Sequence, residues 1–397
     1  MLPANRWWIL VSIFFRQDLS LRLRHFLSAL LCFSVCAAAY GTVPKRPRYE
    51  VVAYVMAPQP GALLDPTTIA AAKLTRINYA FFMLKDGVIS ERRDHDGDNL
   101  RALVSLKQQN PQLQVILSVG GGSGSAGFSE MASTAEGRKK FVDSAMAMIE
   151  RFNLDGIDVD WEYPGYTHTA GMKVGPEDKQ NYTLVLRDLR RRFDREEKPL
   201  GRQLVTSSAT GATQKWLDNT EMGKAAKWMT SVNMMCYDWY SAREKNTGHD
   251  SPLYTNPQDP KQISIDDAVK MNLKAGVLRR KLVIGVPFYG RRWTGVGPAN
   301  HGLWQPVTGK GSDILFWQVA PLVNANGFVR YWDPVAEAPY LYNAQSGTFI
   351  TYNDAEAEKA RTAYVRRHHL GGIMFWQYSG DPDNILLDAI NSGFAQH

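Results

Sequence analysis

Residues 155–163 read DGIDVDWEY, which sets Asp158, Asp160 and Glu162 on alternate positions with Ile157, Val159 and Trp161 before and between them. Successive side chains of a strand point to opposite faces, so the three carboxyls share one face and the apolar residues the other. Same-face neighbours lie about 6.6–7 Å apart and the outer pair roughly 13 Å apart. Metal–oxygen bonds of about 2.0–2.6 Å cannot draw all three onto one ion, and the strand-like runs bring no histidine to complete a zinc set. The spacing suits proton chemistry instead. Like charges crowded together cannot all ionise, so protons are shared and one carboxyl stays protonated near neutral pH. A protonated carboxyl beside a bond to be broken is a general acid for a leaving group. No metal and no cofactor is expected. A purely structural role would need basic partners on neighbouring inward positions, which carry Ser118, Met235, Tyr237 and Gln377 instead.

The elements that must hold such a strand are legible along the chain. Eight strand-length apolar runs recur at 51–56, 77–82, 113–119, 156–163, 203–209, 231–237, 281–289 and 371–378. Amphipathic helical patterns such as 137–153 and 176–196 separate most of them, the second opened by Pro176 and acidic residues as helix N-termini favour. Eight strand–helix units imply an α/β chain folded as a (β/α)8 TIM barrel, with active-site groups at the C-terminal ends of the strands. Glu162 would stand nearest that mouth. More than eighty residues separate the seventh and eighth strands, too many for one helix. Within them 292–350 is rich in Gly, Pro and aromatics, with a hairpin expected around Gln345–Gly347. The expected organisation is therefore a barrel from 50–291 and 351–397 carrying a small α+β insertion at 292–350. An open doubly wound sheet lacks the glycine-rich turn it would need after the first strand.

The first 39 residues stand apart. Residues 26–39 form an apolar run behind Arg22, Arg24 and His25, with Ala37 and Ala39 as small residues for cleavage. This reads as a signal peptide, too short to span a bilayer. A second apolar run at 7–15 means either a long n-region or a translation start nearer residue 20; a signal anchor is the alternative. Without this segment the net charge falls from +7 to +4, with no basic runs, which argues against nucleic acid. Cys236 is then the only cysteine, so no intramolecular disulfide supports the fold. Export, no membrane association after cleavage and a monomer are the expectations.

DGIDVDWEYPG resembles the D-x-x-D-x-D-x-E signature of glycoside hydrolase family 18, the chitinase family. LSVGGG (117–122), MMCYDW (234–239), TGHDSPLY (247–254), VPFYGR (286–291) and GGIMFWQYSGD (371–381) are similar to further family stretches in the expected order. The resemblance runs from about Glu50 to the C-terminus. It implies hydrolysis of chitin or chitooligosaccharides with retention and with substrate assistance, an exception to the usual pair of protein carboxylates. Glu162 would protonate the glycosidic oxygen, and the 2-acetamido oxygen of the substrate would attack the anomeric carbon. Asp160, moving between Asp158 and the substrate, would bind the acetamido N–H, and Tyr237 would donate to the acetamido oxygen. Met235 and Asp238 would shape the acetamido pocket and Trp376 would floor the cleaved sugar's subsite.

By the same resemblance Tyr163 contacts substrate, and Tyr54, Phe82, Gly121, Tyr289 and Arg291 line the cleft. Asp155 and Ser118 would support the acid relay from beneath. Gly122-Ser123-Gly124 stands where many relatives carry an aromatic, so a stacking platform is missing there. A chitin-binding lectin on the same barrel would lack the acid, which is present here as Glu162. An endo-β-N-acetylglucosaminidase usually departs from WEYPG and lacks the insertion.

Overall fold

The computed structural model describes residues 48–396 apart from 58, 60 and 61. The expected signal peptide lies outside the described residues. Strands rich in Val, Ile and aromatics follow one another in parallel: β1 (Glu50–Met56), β2 (Arg76–Lys85) with its antiparallel return β3 (Val88–Ser90), β4 (Gln114–Gly120), β5 (Gly156–Asp160), β6 (Val205–Gly211), β7 (Ser231–Met235) and β8 (Leu282–Pro287). A second sheet comes next: β9 (Tyr289–Trp293), β10 (Gly311–Leu315), β11 (Val329–Asp333), β12 (Ala338–Asn343) and β13 (Thr348–Thr351). The chain then returns to the first sheet as β14 (Gly372–Trp376). β1 pairs in parallel with both β2 and β14, so β1, β2, β4–β8 and β14 close into an eight-stranded barrel. That is a (β/α)8 TIM barrel.

Barrel strands are buried on both faces, and helices cover the outer one. On β5 the outward residues Ile157 and Val159, with Trp161 just beyond the strand, are all buried. Trp161 stacks on Phe128 at 5.4 Å between ring centroids and meets Tyr182 edge-on at 6.3 Å. Tyr182 lies on the helix Asp178–Leu200, whose Tyr182, Leu186, Leu189 and Phe193 follow the helical period and are buried together. Helix Ala135–Phe152 alongside begins at Thr134, whose hydroxyl accepts from the Gly137 N–H at 2.9 Å. The apolar half of the DGIDVDWEY stretch thus fixes the direction of its acidic half.

The five strands between β8 and β14 are antiparallel, in the order β10-β9-β13-β12-β11. The hairpin around Gln345–Gly347 is formed by β12 and β13, Asn343 pairing with Thr348. This sheet includes Tyr289–Arg291, which the sequence pattern had joined to the barrel. It has an aromatic core of its own, in which Tyr340 stacks on Phe349 at 5.3 Å and Trp293 is fully buried.

The Trp161 contacts lead to a stability prediction. Trp161→Ala removes a large ring from between β5 and two helices, and such changes cost about 3–5 kcal/mol. Urea denaturation should show a fall in unfolding free energy of that size, read from the midpoint and the m-value. A variant as stable as the parent would show that the outward face of β5 does not depend on this packing.

Candidate active site

The inward face of β5 carries the acids in order of height. Asp158 is fully buried and held from three sides. Tyr54 and Ser118 donate to its Oδ2 at 2.9 and 2.8 Å, and Ser207 donates to Oδ1 at 2.5 Å. Asn233 Nδ2 donates to the same Oδ1 at 3.3 Å and to the Tyr54 hydroxyl at 3.1 Å. These donors come from β1, β4, β6 and β7, so Asp158 is fixed by the barrel itself. Burial pushes its carboxyl above the ordinary value, while the three hydroxyls and the charge of Arg76 pull it back down.

Asp160, one step higher, has an opposite character. It is almost fully buried, and its Oδ1 has no hydrogen-bond partner among the described residues. Burial first, then the charges of Glu162 and Asp158, hold its carboxyl well above the ordinary value. Glu162 follows at the mouth, where Oε1 accepts from the Gly122 N–H at 2.8 Å. Burial raises its pKa too, against hydrogen bonds from Gly122 and the Tyr163 hydroxyl that lower it. Asp160 and Glu162 share a hydrogen bond, so one proton serves both carboxyls.

The glycine run after β4 has a geometric cause. Gly121 has φ +74, and a Cβ there would lie 2.5 Å from the Phe81 ring; its N–H donates to the Asp160 carbonyl at 2.8 Å. Ser125 completes the seam, donating to the Asp160 carbonyl at 3.0 Å and accepting from the Glu162 N–H at 2.8 Å. The loop after β4 therefore positions the backbone on both sides of the acid.

Above the acids lies a cavity of about 540 Å³, lined by Tyr54, Gly121, Asp160, Glu162, Tyr163, Met235, Tyr237, Asp238 and Trp376 among others. Burial raises the Tyr237 pKa strongly, so its hydroxyl remains a hydrogen-bond donor. Trp376, half-buried at the end of β14, stacks against Phe81 at 5.4 Å and leans on Tyr54 at 5.9 Å.

Several expected residues stand elsewhere. Phe82 is fully buried against Tyr79 and Phe152, and Phe81 lines the cavity in its place. The pairing of β2 with β4 slips between Ala80 and Phe82, a bulge that reverses the alternation. Tyr289 and Arg291 stand behind the wall: the Tyr289 hydroxyl donates to Asp238 at 2.5 Å, and the Arg291 guanidinium bridges Asp238 and Asp313. Asp155 does not lie beneath the relay. It accepts from the Val115 N–H at 2.7 Å and pairs with Lys107 at 2.5 Å, its odd position placing it off the acidic face.

Sequence reasoning missed Arg76, Ser207 and Asn233. Arg76, fully buried inside the barrel, donates to Ser231 at 2.8 Å and pairs with Glu50 at 2.9 Å. It is the basic group that the inward positions seemed to lack, sitting one residue before the apolar run from Ile77. Ser207 and Asn233 keep the alternate spacing of their strands, and that was the signal available for them.

A family model described as glycosyl hydrolases family 18 matches residues 50–381. The chain belongs to glycosyl hydrolases family 18. Among family 18 relatives, Chitinase A1 of Niallia circulans is 39% identical over 310 residues, covering 74% of this chain and 44% of that protein. Chitotriosidase-1 of Mus musculus is 30% identical over 318 residues, covering 76% of this chain and 66% of that protein. The chain thus spans about half to two thirds of the length of these two relatives. Among solved structures, a family 18 N-acetylglucosaminidase from Paenibacillus barengoltzii superposes with a TM-score of 0.79 at 40% identity, covering 87% of this chain and 99% of the other.

The crowding of the acids has a measurable consequence for stability. Asp160 in the folded chain keeps its proton at pH values where the unfolded chain has released it. The folded state then binds more protons, so stability falls as pH rises through that window. Asp160→Asn removes the cost. Its melting temperature relative to the parent should rise as pH increases above about 4, and the advantage should vanish in more acidic buffer. A gap that does not change with pH would mean that Asp160 is not strained by burial and its neighbours.

Proposed function

We propose that the chain is a chitinase, hydrolysing β-1,4 linkages between N-acetylglucosamine units with retention and with help from the substrate. The observation that carries this reading is the proton-rich Asp160, whose Oδ1 has no partner among the described residues, between a fully satisfied Asp158 and a cavity-facing Glu162. A carboxyl with one unpaired oxygen beside a cavity is arranged to take a partner from the substrate.

In this reading the sugar to be cleaved rests on Trp376, its acetamido group between Asp160, Tyr237, Met235 and Asp238. Glu162 donates its proton to the glycosidic oxygen as that bond breaks. The acetamido oxygen forms the bond to the anomeric carbon, and Asp160 accepts from the acetamido N–H and stabilises the positive charge that spreads over the new ring. Tyr237 donates to the acetamido oxygen and sets its direction before attack. Glu162, now ionised, takes a proton from the water that opens the ring, which restores the acid and yields retention. Preorganised groups of this kind act on charge that appears only as the reaction proceeds. Arg291 and Tyr289 keep Asp238 in place.

The relatives named as chitinases and the N-acetylglucosaminidase support the substrate class. Apolar residues 26–39 support export through a cleaved signal peptide, leaving a chain that starts near Tyr40. Intact-mass measurement of secreted protein checks this, and a mass retaining residues 1–39 would contradict it.

Glu162→Gln keeps the shape of the acid without its proton. Turnover of chitooligosaccharides should fall by about 10²–10⁴-fold, while binding measured by calorimetry persists. Hydrolysis at the parental rate would remove Glu162 as the proton donor.

A further inference from the structure

The cavity has two unlike arcs. One gathers Trp376, Phe81, Tyr54 and Tyr237 around the acids; the other, built by the loops after β5 and β6, carries Tyr163, Tyr166, His168 and Lys215. Tyr163 and Tyr166 stack at 4.8 Å with their planes 12° apart, and His168 meets Tyr166 edge-on at 6.0 Å. Lys215 Nζ lies 4.1 Å from the centre of the Tyr166 ring. Lys215 is exposed, and no ion pair among the described residues involves it. No carboxylate of the cavity pairs with it among the described residues: Glu162 Oε1 accepts from the Gly122 N–H, and Asp238 is paired with Arg291.

Resting on the reading above, the position of the leaving group follows. The cleaved sugar occupies the Trp376 arc, and Glu162 reaches the bond oxygen from above Asp160. The next sugar must then lie across Glu162, alongside the Tyr163–Tyr166 stack, where Lys215 covers the Tyr166 face that Tyr163 leaves free. With both faces of Tyr166 covered, what the sugar meets there is the Lys215 ammonium rather than a bare ring. A lysine beside the sugar distinguishes one hexosamine from another: an acetylated amine is neutral, whereas a free amine in mildly acidic solution is an ammonium.

We infer that Lys215 is a specificity residue that rejects glucosamine, in favour of N-acetylglucosamine, in the sugar on the leaving side of the cut. Like charges a few ångströms apart near a wet surface should bias the choice roughly three- to tenfold at low salt, and strong salt screens the effect.

The test is digestion of a partially acetylated chitosan in isotope-labelled water, with mass spectrometry of both ends created at each cut. The two sugars compete within one substrate, so overall loss of activity in a variant does not blur the result. The parent should leave new non-reducing ends depleted of glucosamine. Lys215→Gln should raise that glucosamine fraction roughly three- to tenfold, Lys215→Glu should raise it further, and about 1 M salt, where the Debye length is about 3 Å, should bring the parent towards the glutamine variant. Non-reducing ends with the same composition in parent and variants would overturn the inference. The new reducing ends report separately on substrate assistance: glucosamine there as often as in the polymer would sink that reading, whatever the other end shows.

Discussion

Three carboxyls on one buried strand face is the constraint from which the rest of the site follows. Placed there without compensation they would unfold the barrel, because burying charge unpaired costs far more than a domain's margin of stability. The structure treats the three differently. Asp158 receives hydroxyl and amide donors from four strands and is satisfied by the fold itself. Glu162 reaches the mouth and takes one backbone N–H. Asp160 is left between them with an oxygen that nothing among the described residues bonds. The gradient from satisfied to unsatisfied runs up the strand towards the cavity, which is the direction a proton and a substrate have to meet.

Such an arrangement needs a rigid support, since a carboxyl with a raised pKa relaxes towards water or a cation if it can move. On the outer side of β5, Trp161 is locked between Phe128 and Tyr182. On the inner side, Arg76 sits at the closed end of the barrel and draws Asp158 down in pKa without a direct contact, its guanidinium turned to Ser231, Asn233 and Glu50. A cation placed further up would pair with Asp160 and remove its need for a ligand. The depth of Arg76 therefore matters as much as its charge.

Much of this was legible because strand alternation is a strict geometric rule. The parity of 158, 160 and 162 assigned the inward face correctly, and the same rule places Ser207 and Asn233 beside Asp158. It failed where the backbone breaks the period. At Ala80–Phe82 the bulge exchanged Phe81 for Phe82, a change no count of apolar residues reveals. Arg76 escaped notice because a basic residue at the edge of an apolar run looks like a strand boundary, and only the closed barrel shows it pointing inward. The roles of Tyr289 and Arg291 depend on β9 leaving the barrel for the second sheet, so their distance from the cavity could not be read from their neighbourhood in the chain.

The second sheet also explains why Asp238 can remain at the mouth as an exposed acid. Asp238 has φ +62, in the left-handed region, which aspartate tolerates better than most residues. Its N–H donates to Asp250 at 3.1 Å, and its carboxyl is gripped by Tyr289 and Arg291, the first and third residues of β9. Arg291 in turn reaches Asp313 on β10. The two antiparallel strands thus act on the barrel through a single arginine, joining a loop after β7 to a sheet that begins after β8. Removing that sheet would leave the acids of β5 in place but release Asp238, because Arg291 is its ion-pair partner among the described residues. The insertion is in this sense part of the site, although none of its strands lines the cavity.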